Sequence, residues 1–517
     1  MATETELKLR IAPDAAAALV RHPAVKAVKR GNARTSHLAS TYFDTPDSAL
    51  ASAGVALRLR RDGRRWIQTV KGPAGGAAAG GLSARPEFEW PVKGPHLDPL
   101  RFAATPFRRT LGKAEQQGLV PRFTTDIRRT TVPLAFPDST MAQLCIDIGE
   151  VRAEDGGPPA SVPIHEIELE LEAGDPRRLF ELAYALSADV PLALEPASKA
   201  ERGYALRALR SSEPLRADDV ELARGCAAGP AFASIMRSCL AQVEGNAHGV
   251  LASEDPEWIH QMRIGVRRMR ACLSLARRSL ATERIEPLRA ELRWLAQALG
   301  QARDLDVFAT STLPAFRDAI ARGSGASLAP HLARLAARTA TRRKDARGMA
   351  RAAVASPRFV RLALSAAALA ASPDLAGVIP DDRLGRPARD VARPLLRRRH
   401  QALLALGADL AHAAPEARHA ARLAAKKLRY SAEFFASLYP RKRTRAYRKA
   451  LAILQEELGA WNDAAIAARL AAEIAGPHSP AAAAFEGWAA ARGASRADAL
   501  GDAWSRFAKA RPFWPKA

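Results

Sequence analysis

Four glutamates stand at alternate positions, Glu166, Glu168, Glu170 and Glu172, with Ile167, Leu169 and Leu171 between them. The chain opens on a matching row: in Glu4-Thr-Glu6-Leu-Lys8-Leu-Arg10 every even position is charged. Arg58 with Arg60, and Arg85 with Glu87 and Glu89, repeat the arrangement. Period-two spacing puts each row on one face of a strand. A single such face is most simply the solvated outside of a sheet. Several together ask for more, because like charges along or across strands repel. A divalent cation relieves crowded carboxylates, and Mg²⁺ takes oxygen ligands that it shares with phosphates. Rows of Arg and Lys from neighbouring strands would grip those phosphates. A closed barrel with both rows facing its lumen would be a metal–phosphate pocket.

A second constellation occurs twice. His260-Gln-Met-Arg263-Ile-Gly-Val-Arg267-Arg268-Met-Arg270 recurs as His419-Ala-Ala-Arg422-Leu-Ala-Ala-Lys426-Lys427-Leu-Arg429, 159 positions on (260 to 419). Leu299-Gly300-x-x-Arg303-Asp304 recurs as Leu458-Gly459-x-x-Asn462-Asp463 at the same offset. Two matches at one offset indicate a duplicated unit. On a helix, His260, Arg263, Arg267 and Arg270 form one stripe, and Ile259, Met262, Val266, Met269 and Leu273 form an apolar stripe beside it. His419, Arg422, Lys426 and Arg429 repeat the basic stripe, over Ala421, Ala425, Leu428 and Ala432. Neighbouring cations on a helix cost about 0.2–0.5 kcal/mol per pair. One basic helix reads as a solvated face; a duplicated one with its spacing kept reads as an anion site. Two isolated histidines are not a metal site. Asp304 and Asp463 either pair with their own repeat's arginines or act directly.

The elements that must position these groups differ between the halves. Thr3–Ile11, Val55–Arg61, Trp66–Lys71, Pro86–Val92, Phe123–Thr130, Gln143–Ile148 and Ile164–Leu171 read as strands. Ala15–Val20 and Arg177–Leu186 read as short helices, and Gly75–Gly81 as a flexible loop. Many antiparallel strands suggest a barrel or sandwich. A linker is expected over 207–224. From about residue 229 the pattern is helical, broken at Pro256, Gly323–Ser327, Pro373–Pro387, Pro415, Pro440 and Gly476–Pro480, which suggests two helical bundles with copies over 229–320 and 388–475.

Composition narrows the partners. The 517 residues exceed one core, so roughly two to four domains are expected. Net charge is +24, and residues 1–224 hold 31 Lys+Arg against 29 Asp+Glu while 225–517 hold 47 against 25. The excess therefore belongs to the helical half, which favours a polyanionic partner. Cys145, Cys226, Cys239 and Cys272 lack metal or disulfide spacing, which fits a reducing compartment. No secretory signal and no stretch of 18 apolar residues is visible, so neither export nor a membrane span is expected.

The first half resembles the CYTH domains, the triphosphate tunnel metalloenzymes. The resemblance covers about residues 2–206. It rests on an ordered set of motifs: Glu4-Thr-Glu6-Leu-Lys8, Tyr42-Phe43-Asp44-Thr45-Pro46, Leu57-Arg58-Leu59-Arg60, Thr69-Val70-Lys71, Arg85-Pro86-Glu87, Thr125-Asp126-Ile127-Arg128-Arg129, Ile146-Asp147-x-Gly149-Glu150, Glu166-Ile-Glu168-Leu-Glu170 and Ser198-Lys199-Ala-x-Arg202-Gly203-Tyr204. It implies an antiparallel eight-stranded β tunnel with peripheral helices (α+β) that takes a triphosphate end-on with Mg²⁺ or Mn²⁺. By motif match, Glu4, Glu6, Glu168 and Glu170 are metal carboxylates, and Asp147 is an acidic position near the metal. Lys8, Arg58, Arg60, Lys71, Arg129, Lys199 and Arg202 hold phosphate oxygens, with Lys8, Lys71 and Asp147 closest to the chemistry. Arg85 and Glu87 are further lumen residues. Arg129 rather than Arg128 is chosen by alignment. A Trp that often follows that position in the family is replaced here by Thr131-Val132.

The second half, about 225–517, is similar to the CHAD domain, a helical domain often fused behind CYTH. This implies an all-α pair of four-helix bundles with an internal pseudo-twofold. It also implies an inorganic-polyphosphate site built from His260, Arg263, Arg267, Arg268, Arg270, His419, Arg422, Lys426, Lys427 and Arg429. Arg393 and Arg397–Arg399 would extend it, whereas the run Arg441–Lys449 reads most simply as a solvated helix end. Neither basic stripe contains an aromatic to stack on bases, and only Tyr430 adjoins one, which argues against single-stranded nucleic acid. The expectation is a cytoplasmic, metal-dependent inorganic triphosphatase that splits tripolyphosphate and is recruited to polyphosphate, including its granules. The rivals are a tunnel acting on thiamine triphosphate or a nucleoside triphosphate, adenylate cyclase-type chemistry, or a non-enzymatic binder of polyphosphate or nucleic acid.

Overall fold

The computed structural model describes residues 2–73, 81–153, 160–195, 197–206, 213–275, 282–322, 326–371, 385–407, 410–476 and 478–515. Most of the Gly75–Gly81 segment, and parts of the 207–224 and Pro373–Pro387 segments, lie outside the described residues. Two compact units result, Met1–Glu213 with Ser356–Ser372, and Pro214–Ala355 with Pro373–Ala517.

Nine strands run in order: β1 Ala2–Ile11, β2 Arg34–Asp44, β3 Ala56–Asp62, β4 Arg65–Lys71, β5 Leu82–Val92, β6 Val120–Ala135, β7 Met141–Ala153, β8 Ser161–Ala173 and β9 Leu192–Leu194. The helices of the first half are α1 Ala16–Arg21, α2 Pro23–Lys26, α3 Ala49–Ser52, α4 Arg108–Gln117, α5 Arg177–Leu186 and α6 Lys199–Ala205. Those of the second are α7 Ala228–Gly245, α8 Ala247–Ala252, α9 Pro256–Leu275, α10 Thr282–Val307, α11 Leu313–Ala321, α12 Ala329–Ala355, α13 Pro357–Ala371, α14 Ala388–Leu404, α15 Pro415–Phe434, α16 Arg441–Ala475, α17 Pro480–Ala494 and α18 Ala497–Ala508.

In the first unit the sheet runs β5-β4-β3-β2-β6-β7-β8-β1, and pairing of β1 with β5 closes it into an antiparallel eight-stranded barrel. An interior of this strand number holds side chains or one small ligand. Strand parity then sorts the residues. Leu7, Leu9, Leu57, Ile167 and Leu169 are fully buried on the outer face, while the charged alternates point inward. The sequence alternation reveals seven of the eight barrel strands. β2 is hidden because its buried face, Leu38, Ser40, Tyr42 and Asp44, mixes apolar with polar groups. Asp44 explains the Tyr-Phe-Asp-Thr motif. Fully buried, it accepts hydrogen bonds from the Leu50 and Ala51 amides (2.8 and 2.9 Å) and from the Tyr204 hydroxyl (2.8 Å), tying β2 to α3 and α6.

Although α13 is encoded in the helical half, it belongs to the barrel unit. Its sequence is apolar nearly all round, with Phe359, Val360, Leu362 and Leu364 buried. It packs on α5, where the Arg361 guanidinium donates to the Ser187 carbonyl at 3.0 Å. No single described helix is long and apolar enough to cross a membrane.

In the second unit α7, α9, α10 and α12 pack in sequence, and α14, α15, α16 and α18 repeat them. Each helix of the first three also meets its own counterpart: α7 with α14, α9 with α15, α10 with α16. Like-with-like contact is the signature of a twofold relation. The expected packing stripes are buried, with Met262, Val266, Met269, Ala421, Ala425 and Leu428 at 0% exposure. The end of the expected linker is not free. Leu215 pairs with Asn246, and the Leu222 amide donates to Ser437 Oγ at 3.0 Å, so residues 214–222 lie as an extended strap on this unit.

Candidate active site and anion groove

Register brings the barrel's charges together. Lys8 stands opposite Glu168, Arg129 opposite Asp147, Glu4 opposite Arg85 and Lys71 opposite Glu87. Of the fourteen tunnel residues singled out from sequence, all but Arg202 line one cavity of about 170 Å³. Arg202 sits behind it, paired with Glu166 and 3.8 Å from Glu195. Arg129 points inward and Arg128 is exposed.

Almost every lumen cation is held by carboxylates. Arg129 grips Asp147 through two bonds of 2.7 Å and reaches Glu168 and Glu170. Lys199 contacts Asp147 (2.7 Å), Glu166 and Glu168 (2.8 Å). Lys8 lies 3.4 Å from Glu6 and 3.3 Å from Glu168. Lys71 meets Glu4 and, at 3.1 Å, Glu87. Arg58 faces Glu87 and Glu89 at 3.4 and 3.3 Å. Arg85 lies 3.6 Å from Glu201. Arg60 is the exception: among the described residues it has no ion-pair partner, and its Nε is buried without a hydrogen bond. Burial, with Arg58 and Arg129 alongside, pulls it down to about 10. A guanidinium in that position is ready for an incoming anion.

The carboxylates fall into two groups, each within 4.8 Å: Glu4, Glu6 and Glu170, and Asp147, Glu166 and Glu168. The four metal carboxylates inferred from motif matching are therefore divided, with Glu168 in the second group. Burial alone would raise Glu168, but Lys199, Arg129 and Lys8 hold it well below the usual range. Glu170 goes the other way. Burial, together with Glu168, Glu4 and Glu6, lifts it despite Arg129. An all-oxygen group facing the cavity fits a hard divalent cation. Glu166 was visible in the glutamate row but had no assigned role; at 0% exposure it anchors Lys199 and Arg202. Glu89, present in the row with Arg85 and Glu87, and Tyr42, present in the Tyr-Phe-Asp-Thr motif, likewise had no assigned role and line the cavity. Tyr42 lies opposite Arg58, which its position two residues beyond Ser40 on the inward face of β2 would have shown.

Lys199 and Arg202 come from α6, whose start is fixed by a capping box between Ser198 and Glu201. Gly203 lets α6 approach: a Cβ there would meet the Phe123 ring at 2.3 Å. Gly203→Ala is expected to push α6 outward and destabilise the fold by about 1–3 kcal/mol. Denaturant unfolding checks this, and the substrate KM should rise with it as Lys199 shifts.

The helical unit gathers its cations at the twofold. A cavity of about 660 Å³ is lined by His260, Arg267 and Arg268 of the first copy and Arg422, Lys426 and Arg429 of the second. Arg263 lies outside the lining and faces Asp304 at 3.6 Å, as Arg422 faces Asp463 at 3.7 Å. The symmetric pairing supports an orienting role for both aspartates. Arg268 is a floor residue, 2% exposed, bonded to Gln242 at 2.9 Å and lying over the Phe434 ring. Arg270 is exposed and outside the lining. His419 and Lys427 are exposed and outside the lining. Arg399, an expected extension, instead bonds the Lys427 carbonyl at 2.8 Å. Burial and Arg303, Arg267 and Arg263 push His260 down to about 4, so it is neutral near pH 7, and its Nδ1 is buried without a hydrogen-bond partner among the described residues.

Burial, with Arg267, Arg422 and Arg263 nearby, lowers Lys426 from 10.5 to about 7. The folded protein loses this charge as pH rises through 7, whereas the unfolded chain keeps it to 10.5. Between those values the unfolded state binds more protons, so the fold gains stability as pH rises. An anion in the groove would favour the charged form. Anion binding is thus expected to weaken as pH rises through about 7 and to take up protons there. Calorimetry in buffers of different ionisation enthalpy measures the uptake, and Lys426→Arg should flatten the pH dependence.

A sequence profile of the CYTH domain matches residues 2–204, and one of the CHAD domain matches 234–472. A Haemophilus influenzae protein named inorganic triphosphatase is 32% identical over 209 residues, covering 40% of this chain and 55% of that protein. The chain thus spans about half the length of that curated relative. A crystal structure of the CHAD domain from the plant Ricinus communis aligns at 34% identity, covering 57% of this chain and 97% of that one, with a TM-score of 0.49. PptA from Streptomyces chartreusis aligns at 23% identity over 54% of this chain and 99% of its own, with a TM-score of 0.40. With both profiles matching in tandem on a closed eight-stranded tunnel and a duplicated helical unit, the chain belongs to the CYTH–CHAD proteins.

Proposed function

We propose that the barrel hydrolyses inorganic tripolyphosphate to pyrophosphate and phosphate with a divalent metal, Mg²⁺ or Mn²⁺, and that the helical groove binds inorganic polyphosphate. The observation that carries this is the charge balance of the lumen. Seven cations (Lys8, Arg58, Arg60, Lys71, Arg85, Arg129, Lys199) face seven carboxylates (Glu4, Glu6, Glu87, Glu89, Asp147, Glu168, Glu170). A formally neutral cavity does not hold a polyanion by itself. Glu4, Glu6 and Glu170 would hold the metal, which supplies extra positive charge, polarises phosphate oxygens and acidifies a bound water. The protein's own part is to exchange ion pairs. Lys8, Lys71, Arg58 and Arg129 trade carboxylate contacts for phosphate oxygens, with Arg60 as the first anchor. Asp147 keeps Arg129 and Lys199 aimed into the cavity. Water attacks the terminal phosphorus, the bridging P–O bond breaks, and pyrophosphate leaves; catalysis is positioning and charge stabilisation. The single aromatic among the lining residues, Tyr42, has one face stacked on Phe123 at 4.5 Å, so the cavity offers a base little to stack on. That favours tripolyphosphate over a nucleotide, in keeping with the name of the Haemophilus relative. Chelation is expected to abolish phosphate release and added Mg²⁺ or Mn²⁺ to restore it; turnover that survives chelation would remove the metal from the account.

A further inference from the structure

Beside the twofold groove lies a larger cavity of about 1120 Å³, walled by the end of α15 and the first turns of α16. Six cations line it, Arg429, Arg441, Lys442, Arg445, Arg448 and Lys449, against two carboxylates, Asp219 and Glu433. The two cavities meet at a junction, because Asp219, Arg429, Glu433 and Arg448 line both. At that junction each carboxylate is already engaged. Asp219, carried by the strap, takes two bonds from Arg448 (2.7 and 3.1 Å), and Glu433 takes one from Arg429 Nε (2.7 Å). Beyond the junction, Arg441, Lys442, Arg445 and Lys449 are exposed, with no ion-pair partner among the described residues.

A solvated helix end is the simpler description of such a run. Two features set this one apart. Its cations sit at the positive end of the helix dipole, and Arg441, Arg445 and Lys449 follow one another at i, i+4, so they raise the local positive potential rather than offset it. The same cavity also already seats a carboxylate of the chain itself through a two-pronged arginine contact, the geometry that recognises phosphate as well.

We propose that this face is a second subsite for a linear phosphate polymer. Chains long enough to leave the groove and pass the Asp219–Arg448 clasp engage it, and shorter ones do not. The proposal rests on the polyphosphate reading of the groove and extends it to chain-length selectivity. None of the residues lining the larger cavity is aromatic, so spaced charge rather than base stacking sets recognition.

The test uses the full-length protein with Arg441→Gln, Lys442→Gln, Arg445→Gln and Lys449→Gln combined. Binding of short-chain and long-chain polyphosphate is measured over a salt series. A control carries Arg317→Gln, Arg322→Gln, Arg342→Gln and Lys344→Gln, which removes the same charge from other helices of the unit. The subsite variant should keep short-chain affinity and lose the advantage of long chains. Its slope of log K against log salt for long chains should fall by about 0.7–0.9 per lost contact. The control should keep the long-chain advantage. Equal losses in both variants, unchanged long-chain binding, or loss of short and long chains together would each overturn the proposal. Wild-type protein that binds neither length would instead refute the polyphosphate reading beneath it.

Discussion

Glu4→Ala and Glu168→Ala each lower phosphate release from tripolyphosphate by about 10²–10³, the scale of losing one preorganised electrostatic group, but for different reasons. Glu4 belongs to the carboxylate group that faces the cavity with Glu6 and Glu170, so its loss weakens metal binding. Raising the metal concentration should recover part of the rate. Glu168 stands between Lys8, Arg129 and Lys199 at 4% exposure. Its loss leaves buried cations short of a partner, which costs about 3–5 kcal/mol when one side of a buried pair is removed. Added metal should not rescue it, and the melting temperature should fall. Metal titrations of the two variants, read beside their thermal unfolding, separate the effects. If both variants released phosphate like the parent protein, the tunnel would only capture phosphate tails, and the non-enzymatic reading would stand.

Charge reversal in the groove has the opposite profile. Replacing Arg263, Arg267, Arg422 and Lys426 with Glu should take polyphosphate binding below detection while tripolyphosphate turnover stays near the parent value. Arg267, Arg422 and Lys426 line the groove, and Arg263 lies near enough to depress Lys426. Because Arg263 and Arg422 also face Asp304 and Asp463, reversal puts like charges together there. The neutral set with Gln in place of Glu therefore accompanies it, and should lose binding more gradually and flatten its salt dependence. Competition between polyphosphate and transfer RNA at fixed salt identifies the anion; equal retention of both would argue for indiscriminate charge.

Much of this was legible in the residues. Period-two charge rows are readable because strand parity has no other use for Glu168 or Arg58 than a shared face, and the register then sets them opposite Lys8 and Tyr42. The duplicated stripes are readable because helical spacing and a fixed offset coincide. What escaped is what depends on closure in three dimensions. Glu166 looks like its neighbours in sequence, and only the docking of α6 makes it the anchor of Lys199 and Arg202. Of two adjacent arginines, Arg267 reaches into the groove while Arg268 forms its buried floor beside Phe434, a difference of one position that depends on the helix set against it. Helix α13 could not be assigned to the barrel from sequence, since an apolar helix names no partner.

Opposite charges gathered inward would together hold a chain of phosphates in the tunnel. Phosphate release by the purified protein from tripolyphosphate, thiamine triphosphate and ATP, each with and without Mg²⁺, tests it most directly. The expected result is metal-dependent turnover of tripolyphosphate well above that of the two organic triphosphates. Equal rates with ATP, or release from tripolyphosphate that ignores the metal, would contradict it.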